Sequence, residues 1–464
     1  MSSQGADLHT ISDTGRHTAK KRSPGSVRTR QDHIAHMARK YADTPLTTLG
    51  HNMDMLWMHT AFERVNKDSA AGIDGVTAEE YGRSLDVNLA DLLERAKSGS
   101  YRATPVKRVE IPKNSTEMRT IGIPTLERKV MERAVSMLLE PIYESDFLDC
   151  SYGFRRRRSP QMALDALREA LKEVKGGWVL DVDIRNYFDS IPHAQLREIL
   201  GCRVKDSVIT RLIHKWLKAG VWADEKIEYS DEGTPQGGVI SPLLSNIYLH
   251  TVLDKWMTEE IAPLLKGTMK LVRFADDFVI VFENREDAVR VQKVLPKRFA
   301  KYGLEIHPEK TRLVDFRHPW ESGGKPETFD FLGFTHYWRK TRKGGYAVNK
   351  KTSSKKMRKS LKAIHEWCKE NRHKKMDWQF VKFKEKLRGH YAYYGVTGNM
   401  EALSSFRLQA VRIWRYWLNR RSRKRDGMKW KRFDQLQKTR YRIPPPKIYH
   451  KRNSNRPMQL CLGI

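Results

Sequence analysis

The 464-residue chain is long enough for two to four domains and a sizeable core. Its 39% hydrophobic content and 12 tryptophans exclude a wholly disordered protein. Its formal net charge is +32, of which residues 339–464 carry +30 and residues 1–338 only +2. A nearly neutral body is thus followed by a strongly basic last third, and phosphate backbones are the expected partner of such a surface.

The four cysteines are scattered along the chain and form no Cys-x-x-Cys pair. This spacing argues against a structural zinc site and indicates a reducing compartment. No secretory signal and no long apolar anchor segment occur, so an anionic membrane is a weaker partner than a nucleic acid. Residues 1–32 are rich in Ser, Thr, Arg and Lys, and we expect the basic extension 1–50 to be largely disordered. An organellar transit peptide is the alternative for this segment.

The first clear periodic pattern predicts a helix over Glu127–Tyr143, because apolar residues recur there at helical spacing and indicate a core helix. A strand pattern begins at Trp178. Alternation within it puts Asp181 and Asp183 on one face, opposite three apolar residues. A helix-rich insert from Gln195 to Lys218 follows this strand.

A second acidic segment lies within Leu271–Phe282, where two β-prone apolar runs flank Asp276 and Asp277. The pattern predicts a hairpin with both acids at its turn. Neighbouring carboxylates repel one another unless a cation offsets their charge, and oxygen ligands suit Mg²⁺. Together with Asp183, the hairpin therefore predicts a metal site of the kind that an in-line nucleotidyl transfer needs.

These segments belong to a set of motifs, none of which is specific alone. In chain order they are Ala71–Val76, Ile111–Lys113, Arg119–Pro124, Ser151–Arg155, the acidic strand, Gly233–Pro242, Phe274–Asp277, Leu304–Thr311 and Phe331–Phe334. In this order they resemble those of a reverse transcriptase, and more closely those of a group II intron-encoded reverse transcriptase/maturase of the bacterial type that lacks an endonuclease. The resemblance covers roughly Met58 to Trp417. Phe274 departs from it, since Tyr is more frequent in the family.

The resemblance implies an α+β fold of the right-hand polymerase type, with fingers and an antiparallel palm sheet in residues 51–338. It also implies a helical thumb/maturase domain in residues 339–420 and a basic nucleic-acid-binding segment in residues 421–464. The implied activity is RNA-directed DNA synthesis. The implied partners are deoxynucleoside triphosphates, a DNA target or primer, and the intron RNA whose splicing and mobility the protein would promote. We expect a bacterial cytoplasmic, nucleoid-associated protein, with homodimerisation left open.

For the site, the resemblance implies two Mg²⁺ ions on Asp183 and Asp276, with Asp277 as a less direct contributor. Asp181 fits the family spacing less well than Asp183. The substrate-binding residues that the resemblance implies are, in chain order, Lys113, Arg119, Phe188, Gln236 and Lys310. The two cations would bind the triphosphate, Phe188 would exclude a ribose 2′-hydroxyl, Gln236 would lie beside the incoming nucleotide, and Lys310 would lie on the primer side.

The basic third contains one strong helical pattern, with six apolar residues between Phe406 and Leu418 on a single face. The segment Leu387–Tyr394 resembles the maturase domain that serves the family as thumb. Arginines from both segments are candidates for RNA binding, namely Arg388, Arg407, Arg412, Arg415 and Arg420.

Two alternatives stay open at this level. Another bacterial reverse transcriptase, such as a retron, diversity-generating or CRISPR-associated enzyme, would share the palm motifs. A maturase that only assists splicing would need the basic surface but not the acids. The intact carboxylates favour a polymerase, and the Leu387–Tyr394 segment favours a maturase.

Overall fold

The structure is a computed structural model that describes residues 25–112, 118–234, 236–323, 326–421 and 428–451. Within these ranges, helices combine with three β-sheets, which confirms the predicted α+β class. No helix in the described part of the chain is both long and apolar enough to cross a membrane.

The first third of the chain is mainly helical. Its elements are α1 Val27–Lys40, α2 Met55–Glu63, α3 Ala78–Gly82, α4 Leu85–Ser98, β1 Val106–Pro112, β2 Met118–Ile123 and α5 Leu126–Asp146. Helix α5 is the core helix that the Glu127–Tyr143 pattern predicts, and nearly all its apolar residues are buried.

The expectation that residues 1–50 are largely disordered was wrong where the structure describes them, since α1 is an ordered helix packed on α5. Its few apolar residues include Ile34 and Ala38, which are buried, and Gln31 Nε2 donates to the carbonyl of Met137 at 2.8 Å. A sparse apolar stripe suffices here because α5 supplies a large apolar partner surface. Residues 1–24 lie outside the described ranges.

The middle of the chain alternates helices with short strands. Its elements are α6 Pro160–Glu173, β3 Trp178–Val182, α7 His193–Gly201, α8 Ser207–Leu217, β4 Val221–Ala223, β5 Lys226–Glu228, α9 Ser241–Leu249, β6 Met269–Phe274, β7 Asp277–Phe282, α10 Arg285–Lys301 and β8 Arg312–Asp315. A π-helical segment, His250–Ile261, continues α9.

Four of these strands form the central sheet, in the order β6-β7-β3-β8 with every neighbouring pair antiparallel. Alternate residues face opposite sides, as the pattern predicts: Leu180 and Val182 join the larger core, whereas Val179 joins a second core. Because both faces are covered, the edge at the β6–β7 turn is the part of this sheet that can present acids to solvent. A second sheet has the order β2-β1-β4-β5.

The last third begins with three strands and continues with helices. Its elements are β9 Phe329–Phe331, β10 Phe334–Lys340, β11 Tyr346–Thr352, α11 Ser354–Glu370, α12 Met376–Tyr394, α13 Met400–Leu418 and α14 Trp430–Thr439. The predicted boundary between residues 338 and 339 falls inside β10, which pairs with β11 along its whole length. The change in composition there marks a basic hairpin and not a linker, and the helical part starts at Ser354.

The helices of the last third share one core. The predicted apolar face of α13 is confirmed, with Phe406 and Trp414 buried, and Phe433 of α14 packs edge-on against Trp414 at a centroid distance of 5.7 Å. Tyr441 and Ile443 are buried in the same cluster. The predicted boundary at residue 420 therefore separates residues that fold together.

Replacing Phe433 by Ala should lower the free energy of unfolding of this helical region by about 3–5 kcal/mol, because a fully buried aromatic ring is lost. Denaturant titration followed by tryptophan fluorescence measures the change. Lys431→Ala, on the exposed side of the same helix, is the matched control and should change stability by less than about 0.5 kcal/mol. Equal stability of the two variants would contradict a shared core.

Candidate active site

The predicted hairpin with acids at its turn is confirmed. Strands β6 and β7 pair up to Phe274 and Asp277, and Ala275 and Asp276 form the turn between them. Ala275 has a φ of +58°, in the left-handed region that a residue with a Cβ rarely adopts. Such a turn persists only when surrounding contacts determine it.

A buried ion pair supplies those contacts from below. The Arg273 guanidinium donates to both carboxylate oxygens of Asp254, at 2.7 and 2.5 Å, and both side chains are fully buried. Arg273 Nη1 also donates to the carbonyl of Ala275 at 3.0 Å. Burial alone would raise the pKa of Asp254, but the charge and hydrogen bonds of Arg273, together with the nearby His250 ring at 3.8 Å, outweigh it and hold the pKa below its usual value. The pair therefore stays ionised and fixes the turn that carries Asp276.

The Ser151–Arg155 motif closes the turn from the side. The backbone of Arg273 donates to the Cys150 carbonyl and accepts from the Tyr152 amide, both at 2.8 Å. A Cβ at Gly153 would lie 2.3 Å from the Ala275 nitrogen, so only glycine allows this close approach.

Asp183 lies immediately beyond the end of β3, next to the acidic turn. The Leu304–Thr311 motif holds its backbone, because the Asp183 carbonyl accepts from the amide of His307 at 2.8 Å. From the same motif, Lys310 Nζ lies 3.0 Å from Asp183 Oδ2. The structure therefore pairs Lys310 with a proposed metal ligand.

Crowding of carboxylates perturbs the acids of this edge. Burial raises the pKa of Asp276, and the charge of Asp183 adds to that rise. The dense protein surroundings, followed by the charges of neighbouring acids, raise the pKa of Asp277 to about 7 although its side chain reaches solvent. Burial likewise raises the pKa of Asp181 to about 6, against the opposing effect of Arg312 at 3.5 Å. Concentrated negative charge of this kind is relieved by a cation.

Two carboxylates at this edge are a donor set that Mg²⁺ can use. Among the described residues, no group of three or more His, Cys, Asp or Glu side chains is already assembled around a metal position. Mg²⁺ is commonly held by one or two carboxylates together with water and substrate phosphates. Asp183 and Asp276, close enough to perturb each other, provide this number of protein ligands.

The loop that contains Gln236 connects the central sheet to β2. The Thr234 amide donates to the carbonyl of Phe188, and the Gly122 amide donates to the carbonyl of Gln236, both at 2.7 Å. Gly237 has a φ of +116°, and a Cβ there would lie 2.5 Å from the Gly122 oxygen. Backbone hydrogen bonds therefore tie this loop both to Phe188 and to β2.

The predicted cations of β1 and β2 are only partly described. Arg119 is exposed on β2, opposite Ile111 of β1. Burial raises the pKa of Asp189 and of Asp276, and the charge of Arg119 counteracts both rises, so its guanidinium acts on the acidic edge. Lys113 lies outside the described residues.

Part of the chain matches a known protein family. The model of the family described as reverse transcriptase (RNA-dependent DNA polymerase) matches residues 111–336. Residues 111–336 form a reverse transcriptase domain. The acidic edge, the Gln236 loop and Arg119 all belong to it, and the resemblance inferred from the motifs is confirmed.

Curated relatives place this reverse transcriptase domain near intron-encoded proteins. Protein YkfC of Escherichia coli is 35% identical over 246 residues, covering 47% of this chain and 65% of YkfC. The group II intron-encoded protein LtrA of Lactococcus lactis is 32% identical over 262 residues, covering 55% of this chain and 42% of LtrA. The putative COX1/OXI3 intron 2 protein of Saccharomyces cerevisiae is 34% identical over 269 residues, covering 57% of this chain and 28% of that protein. The chain thus spans less than two thirds of the length of each of these relatives.

Two buried ion pairs of the reverse transcriptase domain were missed by sequence reasoning. One is Arg273 with Asp254. The other is Arg128 with Glu132 in α5, at 2.7 Å, where Glu132 Oε2 also accepts from the Val239 amide at 2.7 Å and so anchors the Gln236 loop. The available signal was an Arg and a Glu four residues apart in a helix whose other residues are largely buried.

The five arginines predicted to bind RNA fall into two groups. Arg407 donates to the carbonyl of Pro444 at 3.3 Å, and Arg415 donates to that of Met428 at 2.8 Å and stacks on Trp430, so both serve the helical core. Arg388, Arg412 and Arg420 are exposed.

Replacing Asp254 by Asn should destabilise the reverse transcriptase domain by about 3–5 kcal/mol, because the buried Arg273 charge loses its partner. Thermal or denaturant unfolding measures this loss. Asp149→Asn, which removes an exposed carboxylate in the same domain, is the control and should leave stability nearly unchanged. If Asp254→Asn were as stable as the control, the ion pair could not be what holds the turn.

Proposed function

We propose that this protein is an RNA-directed DNA polymerase that binds its group II intron RNA and promotes splicing and mobility by target-primed reverse transcription. The observation that carries the proposal is the meeting of Asp183 and Asp276 at one edge of the central sheet, within electrostatic reach of Arg119. The intron-encoded relatives favour the intron-linked role over a retron, diversity-generating or CRISPR-associated enzyme.

In this proposal the central sheet is the palm of a right-hand polymerase. The second sheet, with helices α2–α5, would be the fingers, and the helices from Ser354 onward would be the thumb/maturase domain. Contacts between β9–β10 and α12 support the last assignment: the Tyr393 hydroxyl donates to the Leu332 carbonyl at 3.0 Å, and Tyr394 packs on Phe334. The thumb would therefore move with the palm edge that carries the acids.

The chemistry would divide among a few side chains. Asp183 and Asp276 would hold two Mg²⁺ ions, with Asp277 contributing indirectly; when bound, the ions lower the pKa of the primer 3′-hydroxyl and neutralise charge on the triphosphate. Arg119, with Lys113, would hold the triphosphate of the incoming deoxynucleotide.

Phe188 would select the sugar of the incoming nucleotide, and Lys310 would lie beside the primer. The half-buried Phe188 ring packs on Tyr187 at 5.4 Å, and the hydrogen bond from Thr234 to its carbonyl fixes the backbone, so the ring can act as a rigid wall against a ribose 2′-hydroxyl. Lys310 neutralises Asp183 in this structure. From this position its ammonium group would lie on the primer side of the site.

Binding of intron RNA would rest on the basic last third, with its net charge of +30, and on Arg388, Arg412 and Arg420 at its surface. A splicing-only maturase is the second candidate function, because this surface would serve it equally well. The acidic edge and its two supporting ion pairs favour the polymerase, since RNA binding alone does not need them. The cytoplasmic, nucleoid-associated location and homodimerisation both stay predictions.

Asp183→Ala and Asp276→Ala should each reduce Mg²⁺-dependent DNA synthesis on an RNA template by about a thousandfold or more, because metal ligands are lost. Primer extension and filter binding of RNA, measured on the same preparations, test this. RNA affinity should stay within about threefold of the wild type, and Glu94→Ala, which removes an exposed acid, should preserve both activities. Appreciable synthesis by either aspartate variant would refute the site.

Phe188→Ala should reduce the preference for deoxyribonucleotides over ribonucleotides by about tenfold or more, because the smaller side chain leaves room for the 2′-hydroxyl. Single-nucleotide incorporation with each class of substrate measures this preference. Phe188→Tyr keeps the ring and should keep the discrimination. Unchanged discrimination in Phe188→Ala would assign the ring to packing alone.

The surface arginines can be separated from the structural ones by salt. Arg412→Gln and Arg420→Gln should each make the dependence of log affinity for RNA on log salt shallower by about one, while stability changes little. Arg407→Gln and Arg415→Gln should instead destabilise the helical core by about 1–3 kcal/mol, because carbonyl partners are left unsatisfied. Equal salt slopes in the wild type, Arg412→Gln and Arg420→Gln would show that RNA is held elsewhere.

A further inference from the structure

A cavity of about 300 Å³ lies away from the acidic edge, between α6, the β10–β11 hairpin and the segment around Val396 and His450. None of the proposed catalytic or nucleotide-binding residues lines it. Its size is at the lower end of the range of small-molecule sites, and a single nucleotide unit is of this scale.

The floor of the cavity carries two buried polar groups without a partner. Gln161 is 7% exposed, and its Nε2 donates to the carbonyl of Tyr393 at 3.2 Å, which leaves Oε1 with no hydrogen-bond partner among the described residues. His336 is 1% exposed, and its Nε2 is likewise unpartnered. Buried polar atoms are rarely left in this state, so both are candidates to meet a ligand.

The floor does not favour a simple anion. Burial, followed by the charge of Lys350, lowers the pKa of His336 to about 3, so the ring is neutral. Lys350, the cross-strand neighbour of His336, is buried and already paired with Asp165 at 3.2 Å. A neutral amide and a neutral imidazole between the apolar walls of Val348 and Val396 suit the polar edge of a flat ring.

The rim has the opposite character. Arg339, Lys340 and Arg342 line it. Arg339 forms an exposed ion pair with Glu401 at 3.0 Å, which a phosphate could replace at little cost, and within the described ranges Lys340 and Arg342 have no ion-pair partner. Rim cations around a neutral polar floor match a nucleotide whose base enters the cavity while its flanking phosphates stay outside. Proteins that read RNA by sequence usually take up unpaired bases in this way.

We propose that this cavity takes up the base of a single unpaired nucleotide of a bound RNA, with Gln161 and His336 reading the base edge and Arg339, Lys340 and Arg342 binding the adjacent phosphates. The inference rests on the proposed function in that the ligand is RNA. It adds a sequence-reading site on the side of the hairpin that packs against α6.

Fluorescence anisotropy with the full chain at one fixed salt concentration tests the proposal. The probes are a blunt RNA duplex and the same duplex with one bulged nucleotide, tried with each of the four bases. The bulged RNA should bind about tenfold more tightly for at least one base, the factor expected from one well-placed hydrogen bond. Gln161→Leu and Arg342→Glu should each remove this preference.

Lys343→Glu is the matched control, because it makes the same charge change in the same turn at a residue that does not line the cavity. It should weaken binding of both RNAs alike and keep the preference. Arg342 is exposed, so its variant tests the site even if Gln161→Leu fails to fold.

Equal affinity of the wild type for all bulged and blunt RNAs would overturn the inference, as would a preference that survives in Arg342→Glu. Free ribonucleoside 5′-monophosphates provide a second arm: if they bind the cavity while the bulge preference is absent, the site takes free nucleotides and not RNA. Primer extension on a pre-annealed template distinguishes a failure of the cavity proposal from a failure of the proposed polymerase function. It should be present in the wild type whether or not the bulged RNA is preferred, and its absence there would refute the proposed polymerase instead.

Discussion

The acidic edge of this protein depends on one fully buried ion pair, Arg273 with Asp254. Placing several carboxylates at one sheet edge is unfavourable, since burial, followed by the charges of neighbouring acids, raises the pKa of Asp277, and burial together with the charge of Asp183 raises that of Asp276. The buried guanidinium holds the carbonyl of Ala275 and thereby a left-handed turn that the residues themselves do not favour. The buried pair thus fixes the turn that carries Asp276, the residue that we propose as a metal ligand.

The same arrangement recurs on the other side of the site. Glu132, itself paired with Arg128 inside the helical core, holds the loop that contains Gln236, and the carbonyl of that glutamine is tied to β2. The two buried ion pairs, Arg273 with Asp254 and Arg128 with Glu132, therefore fix the acidic turn and the loop that contains Gln236. Arg119 and Lys310 are exposed, so they would be able to change partners when substrate binds in the proposed reaction. A site built in this way is preorganised for charge that develops during the reaction.

Local patterns predicted what depends on neighbours in sequence. The period of α5 and the apolar runs around Asp276 identified the core helix and the acidic hairpin correctly. The pairing of Arg273 with Asp254 was not predictable, because the burial of a charge depends on partners from another element. The same reason explains why residues 27–40 were expected to be disordered although they form helix α1. The few apolar residues of this helix are buried only because α5 packs against them. The basic composition after Trp338 was read as a boundary, but strand pairing between β10 and β11 overrides it.

The most direct test of the central claim locates the bound metal itself. Fe²⁺ substituted for Mg²⁺ in the full chain, with ascorbate and peroxide, cleaves the polypeptide close to the ion. The account predicts cuts around residues 183 and 276, suppressed by excess Mg²⁺ and lost in Asp276→Ala. Cleavage confined to the basic last third, or cuts at residues 183 and 276 that persist in Asp276→Ala, would contradict it.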